Sequence, residues 1–442
     1  MSRVPALDLS PYIDLVERFP SYSAEGAVTQ IIGITAECRG LSINLGELCA
    51  IESQSGSLIR AEAIGFREGT TVLMPLSDLR GVGPGTRVRA LSRRLTAPAG
   101  EALLGRVLDG IGRVQDGGPP LLGCRRVPVH RAAPPPAERL PIQEVCETGI
   151  RAIDGLLTLG KGQRIGIFAG AGVGKSTLLG ALASRSRAAI TVIGLIGERG
   201  REVYDFVRDS LGEQGLRRSV VVAAPSDAPP LQRLKAPFVA TAIAESFMEA
   251  GHDVLLVMDS LTRFGAAARQ VGLALGEPPT AKGYPPSLFS ELPRLVERPG
   301  NYRSGSITGI YTVLVEGDDL NDPVADSIRS LLDGHIVLSR SLAERGHFPS
   351  VDVLASVSRL MPSLIGESQR AAAEKFRRLL AVYRDHKDLI DVGAYKPGAD
   401  PLVDESVQRI GGLDEYLRQD LLSPSPMPAT LERLTAAVGG AA

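Results

Sequence analysis

The sequence predicts a multidomain protein with an N-terminal β-barrel, a central α/β core and a C-terminal helical domain. Three observations carry that reading. Short β-rich runs broken by Gly-rich turns fill residues 26–95, apolar runs alternate with helical patterns over 146–368, and the text beyond is helical. A chain of 442 residues has room for two or three domains and one sizeable core.

The barrel runs are AVTQIIGITAEC, ELCAIES, SLIRAEAIGF, TTVLMPLS and TRVRALSR, separated by turns such as REGT and GVGPG. Closing such strands on themselves removes exposed edges. Residues 104–145 read as a Gly/Pro-rich connector, LLGRVLDGIGRVQDGGPP and then HRAAPPPAERLP, without long helices. The core runs RIGIFAG, AAITVIGLIG, RSVVVAAP, DVLLVMD and ITGIYTVLV suit buried parallel or mixed strands covered by helices. Past Glu367 come SQRAAAEKFRRLLAVYRDHKDLI and ESVQRIGGLDEYLRQDLL, then a Pro/Ser break and one more short helix. The resulting domains are 26–95, 96–368 and 369–442.

Composition narrows the function classes. Lys+Arg at 49 against Asp+Glu at 50 gives a net charge of -1, which argues against a nucleic-acid coat or a polybasic membrane anchor. The four cysteines, Cys38, Cys49, Cys124 and Cys146, form no CxxC pair, so neither a metal cluster nor a disulfide framework is expected. No apolar run is long enough to cross a bilayer, and the N-terminus lacks a signal-peptide core. A cytoplasmic protein is expected, with any membrane work done through partners.

The stretch FAGAGVGKSTLLG, Phe168 to Gly180, lies between a strand and an apparent helix. Gly170, Ala171, Gly172, Val173 and Gly174 let backbone N–H groups curl around phosphate oxygens, and the helix N-terminus adds partial positive charge. Lys175 reaches toward β and γ phosphates, the Ser176 hydroxyl suits Mg²⁺, and Thr177 continues the first turn. Asp259 ends the apolar run DVLLVMD, where a carboxylate holds the water shell of Mg²⁺. ATP and Mg²⁺ are therefore the expected ligands. In GLIGERGREV, Glu198 follows another apolar strand; its residues alone leave open a carboxylate facing the γ-phosphate or an ion pair with Arg199. Ser226 and Asp227 in APSDAPP read either as site-lining residues or as a turn.

With these residues in view, the chain resembles the rotary ATPase superfamily, which includes the ATP synthase α and β subunits, and within it the ATPases of type III secretion and flagellar export. The resemblance rests on FAGAGVGKSTLLG at 168–180, GERGREV at 197–203, DVLLVMDSLTRF at 253–264 and GEPPTAKGYPPSLFSELPRLVERPG at 276–300. It continues through GSITGIYTVLVEGDDLNDPVADSIRSLLDGHIVLSR at 305–340, GHFPSVDVLASVSRLMPS at 346–363 and DLIDVGAYKPGAD at 388–400. Ala169, where the usual phosphate-loop pattern has glycine, agrees with the secretion branch.

The resemblance implies a RecA-like core and ATP hydrolysis coupled to protein secretion. It makes Glu198 the catalytic carboxylate, with Arg199 in the same motif and Arg263 near the γ-phosphate. Arg359 becomes an arginine finger reaching a neighbouring subunit, and Phe348 the aromatic against adenine, where many members carry Tyr. It further implies a homohexamer, residues 1–25 as an oligomerisation or regulatory segment, and GLALGEPPTAKGYPP as a pore-facing loop. Stator and stalk proteins, export chaperones with their substrates, and a membrane export gate are the implied partners, with peripheral attachment to the inner-membrane apparatus. The run HFPSVDVLASVSRLMPS looks more like injectisome members than flagellar ones.

Other classes fit less well. An ATP synthase β subunit would carry an acidic DELSEED segment, which is missing. A Rho-like RNA translocase would need a basic, aromatic-studded barrel, but Trp is absent and aromatics total 4%. A regulatory nucleotide-binding subunit would typically lack the carboxylate that Glu198 supplies.

Overall fold

The computed structural model describes residues 24–315, 322–421 and 423–440. The segment 1–25 assigned to oligomerisation or regulation lies, but for its last two residues, outside them. The chain divides into two compact units, one ending at Leu95 and the other beginning at Thr96.

In the first unit, six strands close into a barrel in the order β1-β2-β5-β4-β3-β6. They are β1 (Glu25–Ile32), β2 (Thr35–Arg39), β3 (Glu47–Glu52), β4 (Leu58–Arg67), β5 (Thr70–Pro75) and β6 (Arg87–Arg94). The run AVTQIIGITAEC, read as one strand, is a hairpin turning at Gly33, whose φ of 57° favours glycine. Val28, Cys38, Ile51, Ala61, Leu73 and Val88 fill the interior.

The second unit is built on an eight-stranded sheet in the order β16-β15-β10-β14-β13-β11-β12-β8. The five expected runs form β10 (Arg164–Ala169), β11 (Ile190–Ile196), β12 (Ser219–Ala224), β13 (Asp253–Asp259) and β14 (Ser306–Leu314). All five are parallel, and almost every residue in them is buried. Helices on both faces explain why such strands read as continuous apolar runs.

Five further strands escaped the sequence reading. From the connector, β7 (Thr96–Ala99) pairs with β9 (Arg125–Pro128) while three-residue β8 (Val107–Asp109) extends the sheet edge beside β12. At the other edge, β15 (Gly334–Leu338) runs parallel to β10, and β16 (Val351–Ser358) returns antiparallel to β15. Their half-buried alternation is a weaker signal than the core runs.

Helices cover the sheet: α1 (Arg151–Leu156), α2 (Lys175–Arg185), α3 (Pro230–Glu249), α4 (Leu261–Leu275), α5 (Pro286–Val296) and α6 (Pro323–Leu331). On α3, Glu245 receives a bidentate pair of 2.7 Å bonds from fully buried Arg298, which also donates to the Val129 carbonyl at 3.0 Å. A charge so buried persists only when paired this way.

The tail is helical as expected, with α7 (Glu367–Asp391), α8 (Pro401–Leu417) and α9 (Met427–Ala437). Helix α8 starts earlier than its apolar pattern because Asp400 caps it, accepting from the Leu402 amide at 2.8 Å, and Pro401 occupies the first turn. Phe376, Leu379, Leu413, Tyr416 and Leu434 join one hydrophobic core with Ile153 and Ile167. The tail is thus seated on the α/β layer through shared apolar burial.

Among the described residues no helix is long and apolar enough to cross a membrane. The cysteines are unpaired, and burial pushes the thiols of Cys38, Cys49 and Cys146 up to about 11, about 12 and about 12, which leaves them protonated and inert.

Candidate active site

The site forms at the carboxyl ends of β10, β11 and β13, where open parallel sheets place their ligand crevices. Leaving β10, the chain turns through 170–174 and enters α2 at Lys175. Gly172 and Gly174 have φ of 78° and 87°, a region that side chains with a Cβ rarely adopt. Buried Val173 anchors the turn: its carbonyl accepts from the Ser350 hydroxyl at 2.6 Å. Ser176 and Thr177 lie exposed on the first turn of α2, and helix N-terminal N–H groups favour anions there.

Lys175 is the centre of charge. Its Nζ donates to Asp259 Oδ1 at 2.5 Å and stands 3.6 Å from Glu198 Oε1. Asp259 Oδ1 also accepts from the Thr312 hydroxyl at 2.6 Å. Thr312 was not singled out in the sequence; it lies within the apolar run ITGIYTVLV of β14, and only the β13–β14 pairing shows its partner. After Asp259, Ser260 caps α4 by accepting from the Arg263 amide.

Glu198 is buried, with its Oε2 3.9 Å from the Arg263 guanidinium, and its Oε1 has no hydrogen-bond partner. Burial pushes its carboxyl up to about 7 against the lowering influence of Lys175; negative Asp259 and a carboxyl–carboxylate bond to Glu202 add to the rise. A buried polar atom without a partner is costly, and here it faces the phosphate loop. The ion pair with Arg199 is absent: Arg199 is exposed and sits 3.4 Å from Glu202. Gly197 makes the approach of Glu198 to α4 work, because a Cβ there would stand 2.9 Å from Arg263 Cβ, at a φ of 68°. Ser226 and Asp227 form a turn, and the Ser226 amide donates to the Glu198 carbonyl at 2.9 Å.

Phe348 stands beside the loop, 3.4 Å from where a Cβ on Gly174 would be. With Thr177, Leu338, Pro349 and Leu421 it borders a cavity of about 480 Å³, room for a heterocyclic base next to the phosphate cradle. A second cavity, about 640 Å³, borders the loop at Ala169 and Ala171, with Arg263, Arg269 and Lys282 at its wall.

Arg359 is not part of this cluster. The register pairs Ala169 with Leu338 and Leu338 with Val351, whereas Ser358 pairs with Gly334 at the opposite end of β15. Arg359 follows Ser358 and is level with Asp333, so five steps from Leu338, at about 3.3 Å each, put it roughly 17 Å below the level where the phosphate loop begins. Its amide donates to the Asp333 carbonyl, and its side chain is exposed. One subunit brings together Lys175, Glu198, Asp259 and Arg263, and leaves Arg199 and Arg359 outside.

This arrangement has relatives. The beta-barrel domain of the ATP synthase alpha/beta family matches residues 28–92, the nucleotide-binding domain of the same family matches 149–358, and the C-terminal domain of the type III secretion ATPase EscN matches 365–436. The flagellum-specific ATP synthase of Bacillus subtilis is 47% identical over 97% of this chain and 98% of its own. The type 3 secretion system ATPase of Xanthomonas euvesicatoria is 48% identical over 93% of each chain. The assembled ATPase EscN of enteropathogenic E. coli superposes with a TM-score of 0.89 at 42% identity, covering 94% of this chain and all of EscN's. The chain therefore belongs to the ATPases of type III secretion and flagellar export within the ATP synthase alpha/beta family, and its reaction is the hydrolysis of ATP.

Proposed function

We propose that this ATPase works as a homohexameric ring at the base of a secretion apparatus, each site completed by Arg359 of the neighbouring subunit. The observation that supports it is the split site: the buried Glu198 carboxyl, whose Oε1 makes no hydrogen bond, lies beside the phosphate loop, while Arg359 is exposed at the far end of the same sheet. EscN, similar over nearly the whole chain, is known both assembled and in complex with its central stalk EscO.

In this reading the triphosphate lies along 170–177 with Lys175 Nζ turned from Asp259 to its β and γ oxygens. Glu198 orients the attacking water and takes up its proton, a task for which a carboxyl poised near neutrality is suited. Arg263, and Arg359 from next door, stabilise the charge that spreads over the transferred phosphoryl group. Phe348 holds the base by stacking.

Ser176 and Asp259 fit Mg²⁺: one hydroxyl and one buried carboxylate suffice for an ion that keeps several waters, and no cluster of three or more metal-ligating side chains occurs among the described residues. Bound there, the ion would neutralise phosphate charge.

Stalk and stator proteins, chaperoned export substrates and a membrane gate are the proposed partners, with attachment to the membrane only through them. Relatives from the flagellar and injectisome branches match equally well, at 47% and 48% identity; the 346–363 motif favours the injectisome.

The test is ATPase rate per subunit against protein concentration. A ring gives a rate that climbs cooperatively, and collapses in Glu198→Gln. A full rate in dilute monomer would sink the shared-site reading.

A further inference from the structure

The cavity beside Phe348 has a wall that does not belong to the phosphate loop or to the sheet. It is made by Gln419 to Leu421, directly after α8. Gln419 is buried, and its side-chain amide is already engaged at both ends, with both N–H donors used. Its Oε1 accepts from the Arg151 amide at 2.8 Å, and its Nε2 donates to the carbonyls of Gly149 at 2.8 Å and Ser423 at 3.0 Å. Its backbone N–H donates to the Phe348 carbonyl at 2.9 Å. One residue thus fastens the aromatic wall, the entry to α1 and the link between α8 and α9 to each other.

The same junction has a second fastener. Arg151, buried at the start of α1, donates to the Tyr416 carbonyl at 2.9 Å, to that of Glu415 at 3.3 Å and to that of Arg418. These are acceptors at the C-terminal end of α8, where a guanidinium meets both orphan carbonyls and the negative helix pole. Arg418 in turn reaches His347, the residue before Phe348, at 3.5 Å from Nε to Nδ1. Burial lowers the His347 pKa, which keeps the imidazole neutral as an acceptor.

We propose that Gln419 is a positioning residue for the nucleotide. It holds Phe348 at the wall of the base cavity, and it makes filling that cavity and seating the helical tail on segment 149–151 one coupled equilibrium. The inference rests on the reading that the base of ATP occupies this cavity. The physical reason is that Gln419 holds Phe348 with its backbone N–H while its buried side-chain amide is bonded to 149–151 and Ser423, so moving Phe348 moves the residue and strains the side-chain bonds. Coupling of this kind is reciprocal, so whatever loosens the seat weakens the nucleotide, and the nucleotide tightens the seat.

The test has two parts, both on the full chain. Hydrogen exchange is followed with and without MgADP at the Arg151 amide, which donates to Gln419 Oε1. The slowing expected there is notable because Arg151 does not line the cavity. In parallel, KM and kcat for ATP are measured for Gln419→Ala, Gln419→Glu, Phe348→Ala and the Gln419→Ala/Phe348→Ala double variant. Gln419→Ala raises KM about tenfold with kcat nearly unchanged, the scale of a lost buried hydrogen bond. Gln419→Glu, which keeps the acceptor for Arg151 and loses both donors, falls between. The double variant is no worse than Phe348→Ala, because Gln419 acts through Phe348.

Penalties that add in the double variant, or an Arg151 amide indifferent to MgADP in the wild type, would overturn the proposal. A Phe348→Ala variant with unchanged KM would instead overturn the base-cavity reading on which it rests. The wild-type exchange experiment stands even if Gln419→Ala does not fold.

Discussion

Mixing two dead variants should restore activity. Arg359→Ala removes an exposed guanidinium whose residue lies roughly 17 Å, five strand steps, from the level of its own phosphate loop. No side-chain hydrogen bond or ion pair of Arg359 is found among the described residues, so its loss costs the isolated fold within about 0.5 kcal/mol. If Arg359 completes a neighbour's site as proposed, its loss there costs far more: an arginine finger contributes about 10³–10⁵ in rate, which is roughly 4–7 kcal/mol of barrier. Glu198→Gln removes the carboxylate from the subunit that binds the nucleotide. Each variant alone is therefore inactive, for reasons located on opposite faces of the subunit boundary. In a ring assembled at random from equal amounts, about one quarter of the sites pair an intact Glu198 with an intact Arg359 from next door. The assay is steady-state phosphate release at concentrations where the wild type is fully cooperative, before and after mixing. Recovery of a substantial fraction of wild-type rate is expected. No recovery, with mixed assembly verified by mass, would refute the shared site, as would full activity of Arg359→Ala alone.

Two further outcomes follow from the same geometry. With the Glu198 carboxyl raised to about 7, the group is mostly protonated at pH 6 and ionised at pH 8, so a base role makes kcat/KM rise across that interval with a midpoint near 7; a flat profile in the wild type would remove Glu198 as the base. Gly197→Ala puts a Cβ at a φ of 68° and 2.9 Å from Arg263 Cβ, costing about 1–2 kcal/mol for the backbone alone. Its thermal melt should drop, and kcat should fall as Glu198 and Arg263 are pushed apart; a variant that keeps wild-type kcat would show that their spacing is unimportant.

Much of this protein is legible in one dimension. The phosphate loop is a local object: Gly172 and Gly174 are needed for their own φ, and Lys175 and Ser176 follow from the helix that starts there. Strands buried on both faces announce themselves as unbroken apolar runs, which is why β10 to β14 were readable while β8, β15 and β16 were not. Fold and chemistry in the core were therefore determined by short-range pattern. The tertiary structure decided relations between residues far apart in the chain. Lys175 and Asp259 are 84 positions apart and meet at 2.5 Å, Thr312 reaches Asp259 from a third strand, and Gln419 closes on Arg151 across 268 positions. Glu198 could have paired with its neighbour Arg199; burial beside Lys175 and Arg263 settled which way it faces. The same register that gathers those groups sends Arg359 to the other end of the sheet, because antiparallel β16 runs away from the loop that parallel β10 delivers. Sequence motifs name the parts of the site, but strand direction decides which of them one subunit gathers.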